Sequence, residues 1–153
     1  MSEVYVARIF HADYAHRVLG HESRCKHLHG HRAAIEVTVK SQGKLDNLGR
    51  VIDFGVVKEL IGKWIDDNWD HNILLHPDDP LLSIAGSEEV IKEVIYGGRE
   101  PYLMCVDGVN VNPTAENMAK VLFRESNLLL PSGIEVVRVR VWETPNCFAE
   151  YRE

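Results

Sequence analysis

Residues Ala33–Lys40 constrain this chain most tightly. Ile35, Val37 and Val39 alternate with Glu36, Thr38 and Lys40, the period-2 signature of a strand with one buried face and one wet face. Carried backwards, the buried phase lands on Ala33, His31 and His29. A strand running that far aims two imidazoles from its inward face, because alternate side chains share a face. If the strand runs that far, the His-x-His pair leaves the inward face at its end.

That pair belongs to a dense cluster. Six of the eight histidines are His11, His16, His21, His27, His29 and His31. Imidazole is the commonest protein ligand for zinc, and three neutral imidazoles leave one tetrahedral position open, the pattern of catalytic zinc. His29 and His31 are the first two candidates. His16 lies beyond the first predicted strand and can close the set from a neighbouring segment, but spacing alone does not choose the third ligand among His11, His16, His21 and His27. A few solvated surface histidines are the bland reading. Cys25, four residues before His29, admits three: a fourth, thiolate ligand closing a structural site, a base or nucleophile with a lowered pKa, or an inert core thiol.

Composition excludes several classes. A chain of 153 residues is expected to form one domain. The formal charge of −6 and the lack of a basic run or aromatic–basic ladder argue against nucleic acid. Apolar runs are too short for a membrane span, and the start lacks a signal-peptide pattern. Three cysteines, Cys25, Cys105 and Cys147, are an odd number at unrelated spacings, which suggests a reducing cytoplasm rather than a disulfide framework. Cys105 and Cys147 are expected to pack.

The remaining periodicity predicts a strand over Val4–Phe10, a short returning strand over Arg50–Phe54, and a helix from Val56. That helix carries Val57, Leu60, Ile61, Trp64 and Ile65 on one stripe, with Asp53 as its cap. A short helix is expected after Ser87, stopped by Gly97-Gly98. A longer one opens at Thr114, with Ala115, Met118, Ala119, Leu122 and Phe123 inward, and breaks at Pro131-Ser132-Gly133. The last predicted strand, Glu135–Trp142, puts Val137, Val139 and Val141 on one face. Grouped strands with helices between them predict an α+β fold with an antiparallel sheet.

Three more acidic sites carry candidate chemistry. Asp70-His71 pairs a carboxylate with a histidine it can orient, although adjacent residues at a helix end are commonly solvated. Glu143 continues the phase of Val137, Val139 and Val141, so it either emerges into solvent or is buried with a partner. A ring edge with two parallel N–H donors is such a partner. Glu116 stands in a first helical turn, where an acid also simply complements the helix dipole.

Taken together, these segments resemble the 6-pyruvoyltetrahydropterin synthase family, and within it the 6-carboxytetrahydropterin synthase branch of queuosine biosynthesis. The resemblance spans nearly the whole chain: Phe10 to His16, Cys-x-x-x-His-Gly-His at Cys25–His31, Val51-Ile52-Asp53-Phe54, Trp69-Asp70-His71-Asn72, Asn112-Pro113-Thr114-Ala115-Glu116 and Val141-Trp142-Glu143-Thr144. It implies the T-fold, a four-stranded antiparallel sheet with two main helices on one side, assembled as an oligomeric barrel. The barrel is typically a homohexamer with active sites shared between subunits. It further implies zinc on His16, His29 and His31, Cys25 as proton acceptor and Asp70 with His71 as its relay. Glu143 is then the pterin anchor, often grouped with that relay, and Thr114 and Glu116 lie near the substrate. The expected reaction converts 7,8-dihydroneopterin triphosphate and water to 6-carboxytetrahydropterin, acetaldehyde and triphosphate. The three-residue gap between Cys25 and His29 favours this branch over the pyruvoyl branch, whose gap is usually longer. Relative to compact members, about 76–112 is an insertion. A non-enzymatic alternative is a zinc-stabilised domain in which Cys25, His29, His31 and another histidine close a structural site.

Overall fold

The computed structural model describes residues 3–83, Glu93 and 97–153. Strands β1 (Tyr5–His16) and β2 (His29–Ser41) form a long antiparallel pair. Helix α1 follows in three stretches, Phe54–Val57, a π-helical turn Lys58–Gly62, and Lys63–Asn68. Strand β3 (Asn72–Leu75) leads into a 3₁₀ turn at Pro80–Ser83. Strands β4 (Tyr102–Leu103), β5 (Cys105–Val106) and β6 (Val109–Asn110) precede helix α2 (Ala115–Leu129). Strands β7 (Ile134–Thr144) and β8 (Cys147–Tyr151) complete the chain. The expected Ser87 helix lies outside the described residues, and Gly97-Gly98 after it forms a left-handed turn with φ of 57° and 74°.

The sheet corrects the four-stranded antiparallel expectation. Among the described residues it has six strands in the order β4-β3-β1-β2-β7-β8. The β1-β2-β7-β8 part is antiparallel, whereas β3 pairs parallel with β1 and β4 pairs parallel with β3. All four β3 residues, Asn72-Ile73-Leu74-Leu75, are buried, so the strand has no wet face and no alternation to betray it. β5 and β6 form a separate hairpin.

Three further local expectations change. The first strand extends six residues past Phe10 to His16. Arg50–Phe54 is not a strand: the Asp46 carboxylate accepts the Leu48 and Arg50 amides and the Arg50 side chain, which folds this segment as a turn. Asp53 then caps α1 by accepting the Gly55 amide at 2.7 Å. In β7 the buried valines are Val136, Val139 and Val141, not Val137. A bulge opposite Thr38 and Val39 shifts the register there and turns Val137 out of phase.

Helices α1 and α2 pack on the face that presents Phe10, Ala12, Ile35, Val37, Val39, Val139 and Val141. Helix α1 contributes Val57, Ile61 and Ile65, and α2 contributes Met118, Ala119, Leu122 and Phe123. Gly62 lets α1 settle directly on β1, because a Cβ there would meet the Phe10 ring at 3.1 Å. Thr114 caps α2 by accepting the Asn117 amide at 3.2 Å, as its sequence position requires.

Candidate active site

Strand register builds the histidine cluster. His16 stands directly opposite His29 in the β1–β2 pair, and His31 follows two residues on, so all three rings leave the helix-facing side of the sheet. Their ring centroids are 4.7, 4.9 and 5.1 Å apart, and one nitrogen from each lies within 4.8 Å of the others. Gly30 sits between the two β2 histidines, where a Cβ would press to 3.3 Å from the Tyr14 carbonyl oxygen. The His-Gly-His spacing thus serves close strand pairing as well as the convergence of the two rings.

Hydrogen bonds aim the rings. Nδ1–H of His16 donates to the Pro113 carbonyl at 2.6 Å, and Nδ1–H of His29 donates to the His27 carbonyl at 2.6 Å. Fixing the proton on Nδ1 leaves the Nε2 lone pairs free, and the two Nε2 atoms are 3.1 Å apart. This outer-shell arrangement is characteristic of metal-binding histidines. Burial, at 2 % exposure, pushes the His16 pKa down from 6.5 to about 4, against the Pro113 bond and with help from His29 and His31. Burial also lowers His31. The converging imidazoles of His16, His29 and His31 fit a metal ion, and among the described residues they form the all-histidine group able to hold one. His11 is exposed on the opposite strand phase, His21 lies in the loop after β1, and His27 contributes its carbonyl to the site.

A cavity of about 300 Å³ opens beside this cluster, lined by His16, His21, Cys25, Thr114, Glu116 and Glu143 among others. Cys25 lies in a 3₁₀ turn, Arg24–Lys26, between β1 and β2, and is half-buried and free. Glu143 ends the β7 face with 26 % side-chain exposure, its Oε1 3.6 Å from His16 Nε2. Thr114 and Glu116 reach the cavity from the start of α2, whose preceding Pro113 carbonyl also holds His16. Five of the predicted site residues thus share one cavity. Cys147, expected to pack, is instead exposed and lines the same cavity, and Cys105 is exposed elsewhere.

Asp70 and His71 are not among the residues lining that cavity. They form their own unit beyond α1. Asp70 accepts the Asp13 amide at 2.9 Å and the His71 Nδ1–H at 2.8 Å, while the His71 amide donates to the Asp13 carbonyl at 2.6 Å. His71 takes a left-handed φ of 54°, which turns its ring back onto the neighbouring carboxylate. Partial burial pushes Asp70 up, but the Asp13 amide and the His71 ring outweigh it and hold the carboxyl below its ordinary value. The Asp70 hydrogen bond raises His71. His71 is 76 % exposed, so this dyad points into solvent from an isolated chain.

Two contributors escaped sequence reasoning. Tyr14 is buried against the rings of His16 and His31, and among the described residues its hydroxyl meets no hydrogen-bond partner within bonding geometry. Its position was recoverable, since it shares the phase of Phe10 and His16. Arg99 donates to the carbonyls of Asp66, Asp67 and Asp70, bracing the end of α1 beneath the dyad. No local pattern announces that contact.

Among the described residues, no helix is long and apolar enough to cross a membrane. In overall fold the chain is similar to an uncharacterised Wolinella succinogenes protein, with a TM-score of 0.78 at 22% identity over 100% of this chain and 99% of that one. It is also similar to Caenorhabditis elegans 6-pyruvoyl tetrahydropterin synthase, with a TM-score of 0.64 at 20% identity, covering 100% and 97% of the two chains. Sequence relatives are nearer. A Rickettsia typhi 6-carboxy-5,6,7,8-tetrahydropterin synthase is 41% identical over 90% of this chain and 92% of its own. An Aquifex aeolicus protein of the same name is 33% identical over 86% of this chain and 77% of its own. The family model described as 6-pyruvoyl tetrahydropterin synthase matches residues 5–153. With its fold, its sequence relatives and that match in agreement, this chain belongs to the 6-pyruvoyl tetrahydropterin synthase family.

Proposed function

We propose that this chain is a zinc-dependent 6-carboxy-5,6,7,8-tetrahydropterin synthase of queuosine biosynthesis. It acts in the cytoplasm on 7,8-dihydroneopterin triphosphate and water, and releases acetaldehyde and triphosphate. The observation that carries this reading is the shared cavity: Cys25 and Glu143 open onto the space beside three converging histidines. A structural zinc domain has no use for such an opening. The names of the relatives support the carboxy product, as does the short gap from Cys25 to His29.

His16, His29 and His31 would hold the zinc, which when bound supplies Lewis-acid polarisation of the substrate's side-chain oxygens. Cys25, as thiolate, takes a proton from the substrate side chain within the cavity. Glu143 receives two N–H donors of the pterin's amino-pyrimidine edge and so fixes the side chain against Cys25. Asp70 holds His71 in one tautomer, with Nε2 free to pass protons. Because this dyad lies apart from Cys25 in its own chain, it completes the cavity of a neighbouring copy. A homohexameric barrel achieves this, and it also covers the exposed sheet edges at β4 and β8.

Incubation with 7,8-dihydroneopterin triphosphate should yield 6-carboxytetrahydropterin and acetaldehyde in equal amounts. A pyruvoyl product without acetaldehyde assigns the sister activity, and no turnover by zinc-loaded protein rejects both. The anchor assignment has its own test. Glu143→Gln keeps the shape but replaces one acceptor oxygen by a donor, so catalytic efficiency should fall more than roughly tenfold, about 1.4 kcal/mol, with the melting temperature unchanged. Efficiency near that of the parent would show Glu143 to be a solvated strand end.

A further inference from the structure

We infer that Arg17 and the buried Asp79 form a clasp that positions Cys25, so that the start of the long β3–β4 connection is a working part of the site. Asp79 is 2 % exposed, with its side chain wholly out of water. A buried carboxylate requires partners for both oxygens. Oδ2 receives the Arg17 Nε–H at 2.6 Å, and Oδ1 receives the Leu81 amide at 2.8 Å, closing the turn at Pro80–Ser83.

The same guanidinium reaches the Cys25 turn. Arg17 Nη1 donates to the Lys26 carbonyl at 3.2 Å, and the Val18 amide donates to the Cys25 carbonyl at 2.8 Å. Two residues that directly follow His16 therefore pin two consecutive carbonyls of the turn that carries the thiol. A second anchor holds the intervening loop. The Asn112 side chain pairs with Leu19, accepting its amide at 2.8 Å and donating to its carbonyl at 2.9 Å.

Cys25 sits in a three-residue 3₁₀ turn whose N-cap Ser23 makes no side-chain capping bond. Such a turn has little stiffness of its own. Its distance from His16 depends on what ties it to the end of β1: the Val18 amide, and the Arg17 side chain that grips the next carbonyl. Arg17 in turn is aimed by Asp79. Residues 76–83 thereby act on the reaction through Cys25 without touching substrate. Asp79 and Arg17 are positioning residues in this account, which rests on Cys25 as the proton acceptor.

The test uses full-length, zinc-loaded Asp79→Asn and Arg17→Lys. Asparagine still accepts from Leu81 but removes the charge facing Arg17. Lysine keeps the charge but lacks the fork that serves Asp79 and Lys26 together. Each should lower kcat roughly tenfold or more with KM within about twofold, since small misplacements of a reacting group cost rate rather than binding. Each should also change the rate of Cys25 alkylation by iodoacetamide, followed by mass spectrometry of the labelled peptide, at least about threefold. That readout needs no turnover. Metal content and melting temperature identify the folded samples, and Arg17→Lys serves if Asp79→Asn does not fold. Unchanged kcat and unchanged alkylation in either folded variant overturn the clasp. Altered alkylation with unchanged kcat keeps the clasp but removes Cys25 from the chemistry, so the two assignments fail separately.

Discussion

Cys25→Ala should abolish turnover, by about 10²–10⁴-fold, while the protein should keep one equivalent of metal and its melting temperature. The size is that of one positioned proton-transfer group, roughly 3–5 kcal/mol of barrier. The retention of metal follows from the donor set. The three converging nitrogens belong to His16, His29 and His31, and their group contains no sulfur. Stability is also little engaged, because Cys25 is half-buried in a surface turn and its side chain leaves no core void when shortened. Metal analysis and a stopped assay on the same preparation check both halves. Loss of metal in Cys25→Ala would make the thiol a fourth ligand and turn the site into a structural one. Near-normal turnover would move the proton transfer to another group, and His21, which lines the same cavity, would be the first to replace.

How legible this site was depended on whether signals were local. The buried phase Ile35-Val37-Val39 led to His31 and His29 because β2 keeps strict alternation from His29 to Val37, although Thr38 beyond it is buried too. Helix α2 announced itself through Thr114 and its inward stripe. The extension of β1 was harder to read. Phe10, Ala12, Tyr14 and His16 do share one phase, but a small residue, a phenol and an imidazole carry little of the hydrophobic signal that marks a buried face. For the same reason the register pairing of His16 with His29 was invisible, although it decides the third nitrogen. The bulge in β7 was hidden by Val136 and Val137 together, since valine suits either phase. Strands β3 and β4 are short and parallel, and no periodicity marks them. The clasp joins positions 17 and 79, and the Arg99 brace joins 99 to 70. Contacts at that separation exist only once the sheet has formed.

His29→Ala should lose the metal, with affinity down by more than about 100-fold, and should lose activity with it. Even outer-shell partners of ligating histidines are worth about 10–100-fold, so removing a ligand itself exceeds that range. The lost ring is also the one that faces His16 across the strand pair, at 3.1 Å between Nε2 atoms. Fold is retained, because His29 lies at the partly exposed end of β2 and not in the core. Thermal melts should show the same loss independently. Zinc at 100 times its Kd adds about 2.7 kcal/mol to the parent, and the same zinc should leave the melting temperature of His29→Ala in place. Acidification gives the converse. The folded pKa of His16 is depressed from 6.5 to about 4 by burial, so the unfolded chain takes the proton first. The metal-free protein therefore keeps this contribution above pH 6.5 and loses it as pH falls toward 4, by up to about 3 kcal/mol from His16 alone. One full equivalent of zinc on purified His29→Ala, or a metal-free melting temperature that stays level between pH 7 and pH 4.5, would displace His16 and His29 from the centre of the site.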